Sequence, residues 1–303
     1  MAAITRRVFL ASGAAVFAAP FVAEAKQAGK RIPQIGILQP GVGSPAWVGA
    51  FREGLHERGY VEPQNIAVQY RLAEGSAEQR AAIAEFLRLK VDVIVTWGMP
   101  AVLAAKHETR AIPVVGVVPD AIDPFFTTGL ARLNRSFTGV RIRPNKKDLK
   151  SLRLLREALP TVSRISVLHS TTPDLDSIAA ANWIHEHRIL CGVNVLILDD
   201  SFLTGPLNPF LNVRASHRLP VSSEHSALIV DNEGEMCNGV VFPDILHRAA
   251  VYVDKILTGA RAADLPIEEP TSKYELIIDM KSAKALGLTI PPSLLLRADQ
   301  VVE

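Results

Sequence analysis

The stretch QIGILQP, Gln34–Pro40, decides the fold of this chain. It is a short apolar run that ends in an amide side chain and a proline, and it predicts a buried strand followed by a turn. A helical pattern follows, with Trp47, Phe51 and Leu55 on one face. The same succession of strand, loop and helix repeats as far as Val140, which is typical of parallel βαβ units. Because ligands of open α/β sheets bind outside the carboxyl ends of the strands, the loops after these strands are the candidate binding loops.

Hydrophobic periodicity places the remaining elements. In the first part of the chain, strands are predicted at 35–39, 65–70, 91–97 and 112–118, and helices at 44–58, 76–89 and 101–107. A second α/β set follows, with strands at 164–169, 194–198 and 274–279 and helices at 145–158, 177–190, 244–257 and 282–286. Ser76 followed by Gln79 predicts a capping box at the start of one helix. The segment Ser223–Asn232 fits either a strand or a helix.

The composition is that of a globular protein with a sizeable core. The chain has 303 residues, enough for two domains, and 48% of them are apolar. The formal net charge is +2 and no basic stripe is present, so the sequence does not favour a nucleic-acid partner. The two cysteines, Cys191 and Cys237, lack metal-ligand spacing; they fit a disulfide in an oxidising compartment or, more simply, two separate thiols.

Residues 1–25 have the pattern of a secretory signal peptide. Arg6 and Arg7 precede a modest apolar run, Ala11–Val22, which is shorter than the roughly 20 residues of a membrane span. Ala23 and Ala25 are small residues two apart, as a signal-peptidase site requires, so we expect cleavage after Ala25 and a periplasmic mature chain. The paired arginines followed by Phe-Leu match the twin-arginine pattern, and an ordinary Sec signal is the alternative.

The sequence lacks the usual catalytic and metal-binding patterns. There is no GxSxG elbow, no Walker loop, no GxGxxG after a strand and no HExxH. His185 and His187 are two apart on a predicted helix and therefore point to different faces, which argues against a shared metal ion. Asp120 and Asp123 lie in a strand-exit loop, where aspartate more often fixes the loop than takes part in catalysis. The sequence thus favours a protein that is not an enzyme and that needs neither metal nor cofactor.

The strand-exit loops at 39–44, 98–101, 119–124 and 169–174 are rich in small, amide, hydroxyl and acidic side chains. Several of them precede helix N-termini, whose free N–H groups suit a carboxylate or another anion. Two α/β sets with such loops facing each other form a cleft that closes by a hinge. This arrangement favours the capture of a small molecule over its chemical conversion.

Longer motifs carry a family resemblance. In the first half they are Ile32-Pro-x-Ile-Gly-Ile-Leu-x-Pro40, Phe51-Arg-x-Gly-Leu-x-x-x-Gly-Tyr-Val-Glu62 and Leu89-Lys-Val-Asp-Val-Ile-Val-Thr96. In the C-terminal part they are Arg248-Ala-Ala-x-Tyr-Val-Asp-Lys-Ile-Leu-x-Gly259, Ala263-Asp-Leu-Pro-Ile-Glu268 and Lys284-Ala-Leu-Gly-Leu-Thr-Ile-Pro-Pro-Ser-Leu-Leu295. Over 32–200 and 244–303 the chain resembles the ABC-transporter substrate-binding proteins of the tryptophan and aromatic-amino-acid type.

This resemblance implies an α/β type I periplasmic-binding-protein fold, with two Rossmann-like lobes, parallel sheets and a hinge. The first lobe is expected at 32–140 plus about 244–262, and the second at 144–240 plus about 266–303. The implied partners are a small-molecule ligand and an ABC permease in the membrane, and the implied oligomeric state is a monomer.

The chain departs from the family pattern in several places. The family has a helix and a central strand before the turn at His217–Pro220, whereas here only Asp200–Ser216 fills that gap, so a shortened second lobe is expected. The loop Arg132–Phe137 is also shortened. Met99 stands where the family often has a hydroxyl side chain, and Asn238 stands where it often has tyrosine.

By this resemblance the chain is the extracytoplasmic binding component of an ABC import system, and it captures an amino acid or another small carboxylate between its lobes. The candidate ligand contacts are Gln39, Gly98, Met99, Asp123, His169, Thr171 and Asn238. The alternative role for each of them is to fix its own loop by hydrogen bonds. For the whole chain the alternatives are a ligand-sensing domain for a membrane receptor and a degenerate binding protein with an impaired second lobe.

Overall fold

The computed structural model describes residues 31–41, 45–73, 75–119, 136–142, 148–160, 164–168, 193–197, 216, 218–223, 234–268 and 273–303. Ile32–Glu303 form one compact unit, and it is built on two β-sheets. Within the described ranges, every helix is too short or too polar to span a bilayer.

Sheet A is fully parallel. Its strands are β1 (Gln34–Pro40), β2 (Ala67–Ala73), β3 (Val93–Trp97), β4 (Val114–Pro119) and β5 (Phe137–Ile142). They are arranged in the order β2-β1-β3-β4-β5. Helices α1 (Pro45–His56), α2 (Ser76–Leu89) and α3 (Met99–Glu108) alternate with them. Both faces of the sheet are covered, which explains why β3 is an unbroken run of buried residues.

On the face that packs against α2 and α3, glycines make room for aromatic rings. A Cβ atom on Gly36 would lie 2.7 Å from the Phe86 ring, and one on Gly116 would lie 2.6 Å from the Phe137 ring. Gly139 is more constrained, because its φ is 147° and a Cβ atom there would lie 1.9 Å from the carbonyl oxygen of Gly116. Strands β4 and β5 therefore pair as observed only with glycine at this position.

The opposite face of sheet A is covered by α1 and by α5, which spans Phe242–Leu257 in the C-terminal part of the chain. Gly54 permits close contact between the two helices, since a Cβ atom there would lie 2.8 Å from the carbonyl oxygen of His247. Beside this contact, the Tyr60 hydroxyl donates to Oδ1 of Asp254 at 3.0 Å. Burial and this hydrogen bond raise the pKa of Tyr60 to about 12.

After α5 the chain runs along the free edge of β5. The N–H of Glu268 donates to the carbonyl of Gly139 at 3.1 Å, and the carbonyl of Glu268 accepts from the N–H of Arg141 at 2.8 Å. The Thr138 hydroxyl donates to the carbonyl of Leu265 at 3.1 Å. The C-terminal segment thus protects an edge that would otherwise offer unpaired backbone groups.

Sheet B contains β6 (Arg164–Leu168), β7 (Val193–Ile197), β8 (Val221–Ser223), β9 (Met236–Val240), β10 (Tyr274–Asp279) and β11 (Gln300–Val302). The order is β11-β10-β9-β8-β7-β6, and only β10 runs antiparallel to a neighbour, β9. Helices α4 (Asp148–Ala158), α6 (Met280–Ala285) and α7 (Pro292–Leu295) belong to this half. Its core includes Leu154, Leu155, Met236, Leu276, Ile278 and Leu294.

Strands β7 and β8 are direct neighbours in sheet B, with Val195 paired to Val221. No further strand separates them, and this is the place where the family resemblance implied a missing strand. The start of β8 is held by Glu235, whose buried carboxylate accepts a hydrogen bond from the N–H of Val221. The N–H of Glu235 in turn donates to the carbonyl of Val221 at 3.1 Å.

Some sequence predictions need correction. Strands β5, β8, β9 and β11 and helix α7 are not predicted by the hydrophobic pattern. The capping box is wrong, because Gly75 caps α2 without a side-chain hydrogen bond and Gln79 is buried on the inner side of the helix. Cys237 is a buried thiol on β9, whereas Cys191 lies outside the described residues. The segments 1–25 and 177–190, predicted as the export signal and a helix, also lie outside them.

Candidate functional site

The strand order of sheet A reverses at β1. The chain passes from β1 to β2 on one side and then to β3 on the other, so β1 and β3 flank the topological switch point. Helix α1 packs on one face of the sheet, and α2 and α3 pack on the other. Because helices diverge at such a point, a crevice opens outside the carboxyl ends of the two strands, and ligands of doubly wound sheets bind there.

Gln39 lies at this carboxyl edge, near the end of β1, and is 4% exposed. Its Oε1 accepts a hydrogen bond from the hydroxyl of Tyr70, on the neighbouring strand β2, at 2.9 Å. Burial raises the pKa of Tyr70, and the nearby charge of Arg52 offsets part of this effect. The phenol is therefore protonated at neutral pH and can donate. This contact fixes the carboxamide with its oxygen towards Tyr70, and its amide N–H groups are left to bind another acceptor.

Gly98 connects β3 to α3 and caps the N-terminus of that helix. Its φ of 72° lies in the left-handed region, where glycine has no steric cost. Its N–H donates to the carbonyl of Val117 at 3.0 Å, which ties the turn to β4. No side chain caps α3, and Pro100 occupies its first turn. The amides of Met99 and Ala101 therefore have no acceptor within the helix and face the carboxyl edge of the sheet.

Three aromatic rings lie together at the same edge, on the face covered by α1 and α5. The ring centroids of Trp47 and Phe242 are 4.4 Å apart, and Trp97 packs edge-on against Trp47 at 6.2 Å and against Phe242 at 6.3 Å. Trp97 ends β3, while Phe242 begins α5 two residues after the end of β9. The cluster thus joins the edge of sheet A to the point where the chain arrives from sheet B.

Two buried polar atoms, one on the last residue of β3 and one in the first turn of α2, have no hydrogen-bond partner among the described residues. They are Nε1 of Trp97 and Oε1 of Gln79. Trp97 is 3% exposed and Gln79 is 1% exposed. A buried polar group without a partner costs about 1–3 kcal/mol, so each such atom in a native structure calls for an explanation in terms of a ligand, a water molecule or strain.

Arg71 on β2 and Arg52 on α1 each form an ion pair with a glutamate. Nη2 of Arg71 lies 2.6 Å from Oε1 of Glu85, and Nε of Arg52 lies 3.0 Å from Oε1 of Glu62. The hydrogen bond from Arg71 lowers the pKa of Glu85 and raises that of Arg71 itself. In the part of the chain that the structure describes, no group of three or more His, Cys, Asp or Glu side chains is arranged to hold a metal ion.

The structure locates some of the ligand contacts that the sequence predicts. Gln39 and Gly98 come together at the switch point, at the ends of the neighbouring strands β1 and β3. Met99 is the first residue of α3. Asn238 is 5% exposed and lies within β9, where it pairs with Leu276 of β10. Asp123, His169 and Thr171 lie outside the described residues.

Sequence reasoning missed three residues at this edge: Tyr70, Leu72 and Trp97. Leu72 is 53% exposed and is the strand partner of Gln39, so it offers an apolar surface beside the carboxamide. Tyr70 is 37% exposed although its hydroxyl is engaged. The sequence feature that could have identified Trp97 is a tryptophan at the end of an apolar strand, directly before a glycine turn.

The two sheets and the repeated passage of the chain between them define a type I periplasmic-binding-protein fold. A family model described as "ABC transporter substrate binding protein" matches residues 40–188 and 191–302. The chain therefore belongs to the ABC transporter substrate-binding protein family. A comparison with curated protein sequences finds no significant match.

Solved structures share the fold at low sequence identity. A conserved domain protein from Vibrio cholerae is 21% identical, with a TM-score of 0.68, over 89% of this chain and 100% of that one. An ABC domain from Streptococcus pneumoniae in complex with L-Trp is 20% identical, with a TM-score of 0.67, over 89% and 99%. A ligand-free, open substrate-binding protein with adhesive properties from Clostridium difficile is 20% identical, with a TM-score of 0.54, over 89% and 99%.

Proposed function

We propose that this protein captures a small organic solute at the carboxyl edge of sheet A and delivers it to an ABC permease. The observation that carries the proposal is the switch point between β1 and β3. There a buried carboxamide, Gln39, is held by Tyr70 beside the uncapped N-terminus of α3. Family membership supports a binding role, and the switch point supports the location.

The proposed solute is an amino acid or another small carboxylate. Helix N-termini favour anions because their free N–H groups and the helix dipole both attract negative charge. Gln39, Trp97 and Gly98 are all uncharged, so the edge offers neutral donors to the solute. The L-Trp complex of the Streptococcus pneumoniae domain, which shares the fold, supports amino acids as the first class to test.

Release of the solute requires the half built on sheet A and the half built on sheet B to separate. The two halves are connected where the chain passes from one sheet to the other. It leaves sheet A after β5, returns through Val241 into α5, and leaves again after Glu268 towards β10. We place the first lobe at 32–140 plus about 244–262 and the second at 144–240 plus about 266–303, with the hinge at these passages. Hinges of this kind consist of a few residues at the ends of elements.

We further propose that the protein works in the periplasm and docks on a membrane permease. Residues 1–25 act as a cleaved export signal that directs the protein to the periplasm, by the twin-arginine route, and the mature chain works as a monomer. The closed, loaded form then docks on the membrane permease. The remaining predicted contacts, Met99, Asp123, His169, Thr171 and Asn238, belong to the same proposed cleft.

A thermal-shift screen of the mature chain tests the proposal. The panel contains amino acids, hydroxy acids, dicarboxylates and sugars. A ligand at 100 times its Kd adds about 2.7 kcal/mol to the free energy of unfolding, which raises the Tm by about 4 °C for a chain of this size. We expect a saturable rise with one group of carboxylates. A cooperative melting curve that no compound shifts would contradict the binding function.

A further inference from the structure

Gln39 and Trp97 are neighbours on the two strands that flank the switch point. The registered pairs between β1 and β3 run from Ile35 with Val93 to Leu38 with Thr96, and the next pair along the strands is Gln39 with Trp97. Side chains alternate along a strand, and Ile35, Val93 and Trp97 belong to the core on the α1 and α5 face. Gln39 and Trp97 therefore present their side chains to the same face, side by side at the carboxyl edge.

Both side chains offer hydrogen-bond donors there. The recorded hydrogen bond of the Gln39 side chain among the described residues is the one that Oε1 accepts from Tyr70, which directs the amide nitrogen elsewhere. The indole nitrogen of Trp97 is buried, and no described residue accepts from it. An indole N–H can only donate, so its partner must be an acceptor.

We propose that Gln39 and Trp97 form the subsite that binds a carboxylate oxygen of the solute. In this subsite the carboxamide and indole N–H groups donate to the oxygen, and Tyr70 is a positioning residue that keeps the carboxamide in the donating orientation. The inference rests on the proposed binding function and makes it more specific, because it names the acceptor group of the solute and the donors that recognise it.

The surroundings favour a carboxylate over a cation. Gln39 and Trp97 are neutral donors, and the uncapped start of α3 lies directly after Trp97. Hydrogen bonds from neutral donors to an ionised oxygen are shorter and stronger than those to a neutral oxygen. The indole nitrogen is shielded from solvent in this conformation, so the solute reaches it when the hinge opens.

The test compares acids with their amides. Isothermal titration measures the binding of L-tryptophan, L-leucine and L-glutamate, each with its α-carboxamide counterpart, to the mature wild-type chain and to four variants. Gln39→Glu keeps the acceptor for Tyr70 but replaces the donor with a carboxylate. Gln69→Glu is the matched control, because it introduces the same charge on β2 opposite Gly36, on the other face of the sheet. Trp97→Phe removes the indole N–H, and Tyr70→Phe removes the positioning hydroxyl.

We expect the wild-type chain to prefer the acid to its amide by about 10- to 100-fold, as for the loss of one or two charged hydrogen bonds. Gln39→Glu should abolish or reverse this preference, whereas Gln69→Glu should keep it. Tyr70→Phe should reduce the ratio of acid to amide affinity, a readout that a merely structural hydroxyl would not change. Trp97→Phe should weaken acid binding by about tenfold.

A second readout keeps the inference testable if Trp97→Phe folds poorly. In protein labelled with 15N-tryptophan, the indole N–H signal of Trp97, assigned from its loss in the variant or from its contact with Gln39, should move downfield on addition of the bound acid and stay in place with the amide. Acid binding with this signal unchanged, or equal binding of acid and amide by the wild-type chain, would overturn the subsite while leaving the binding function intact. If no acid, amide or sugar binds the wild-type chain at millimolar concentration, both proposals are wrong.

Discussion

The two sheets of this protein differ in how their strands follow the sequence. In sheet A the order reverses at β1, whereas in sheet B the strands β6 to β9 stand in chain order without a reversal. Parallel connections are right-handed, so a reversal sends successive helices to opposite faces, while an unbroken order keeps them on one face. A switch point, where helices on opposite faces leave a crevice, therefore lies at the edge of sheet A, whereas the described strand order of sheet B contains no reversal.

The sheets also differ in how their centres are built. Central strands of sheet A have five to seven residues and are covered on both faces. In sheet B the inner strand β8, between β7 and β9, has three residues, and its start is held by the carboxylate of Glu235. The comparison teaches that the switch point at which doubly wound sheets bind ligands lies in the first sheet, whereas the second sheet has a short inner strand fixed by a buried carboxylate.

The largest loss of stability is expected from a substitution at Gly139. Gly139→Ala places a Cβ atom 1.9 Å from the carbonyl oxygen of Gly116 at a φ of 147°, so β4 and β5 cannot pair as observed. We expect a loss of more than about 4 kcal/mol in the free energy of unfolding, measured by urea denaturation, or no soluble folded protein. Gly287→Ala is the control, because its φ of 74° adds backbone strain but no atom lies within 4 Å; it should cost about 1 kcal/mol. Equal losses in the two variants would contradict the close approach in sheet A.

The second prediction concerns the aromatic cluster that joins the two sheets. Phe242→Ala removes a ring that packs on both Trp47 and Trp97, and large-to-small changes of this kind cost about 3–5 kcal/mol. Ile278→Ala, in the core of sheet B, is the matched change and should cost about 2–5 kcal/mol. Because Ile32–Glu303 form one compact unit, both variants should shift a single unfolding transition. Two separate transitions, with each variant affecting only one, would instead show that the sheets unfold independently.

The smallest effect on stability is expected from the ionisation of two tyrosines, Tyr60 and Tyr252, which pack beside sheet A. Burial raises the pKa of Tyr60 and of Tyr252 from 10.0 to about 12, with further contributions from Asp254 and Glu268 respectively. Unfolded phenols ionise near pH 10, so their contribution to stability is fully present below pH 10 and is lost as the pH rises towards 12. A spectrophotometric titration of the folded chain should show tyrosinate absorbance still increasing between pH 11 and pH 12. The double variant with Phe at both positions should show a smaller increase, because Tyr70, whose pKa is also raised, remains. Complete ionisation near pH 10 while the protein remains folded would contradict the buried hydrogen bonds.

The sequence predicts sheet A better than sheet B for a physical reason. Strand β3 is an uninterrupted apolar run between a helix end and a glycine, so local pattern alone identifies it. Strand β9, Met-Cys-Asn-Gly-Val, is buried on both faces and contains Asn and Gly, so it shows neither alternation nor strand propensity. Its pairing with β10 is antiparallel and nonlocal, and no local pattern encodes it.

The residues of the candidate site also divide into those that local sequence predicts and those that it does not. Gln39 and Gly98 are predictable because Gln39 lies at the end of an apolar strand, Gly98 directly follows one, and each strand precedes a helix. Tyr70 and Trp97 are not predictable, because their roles depend on the register between β1 and its two neighbours, which is set by tertiary packing. The orphan indole nitrogen can only be recognised once the surrounding atoms are placed.

The most direct test of a binding edge on sheet A is hydrogen–deuterium exchange, followed by mass spectrometry, on the mature chain with and without saturating solute from the thermal-shift screen. We expect slower amide exchange in peptides that cover 37–41 and 95–102 when the solute is bound, with little change in peptides that cover β10 and β11. Slower exchange confined to sheet B, with no change at either of the two sheet A segments, would contradict a binding edge on sheet A.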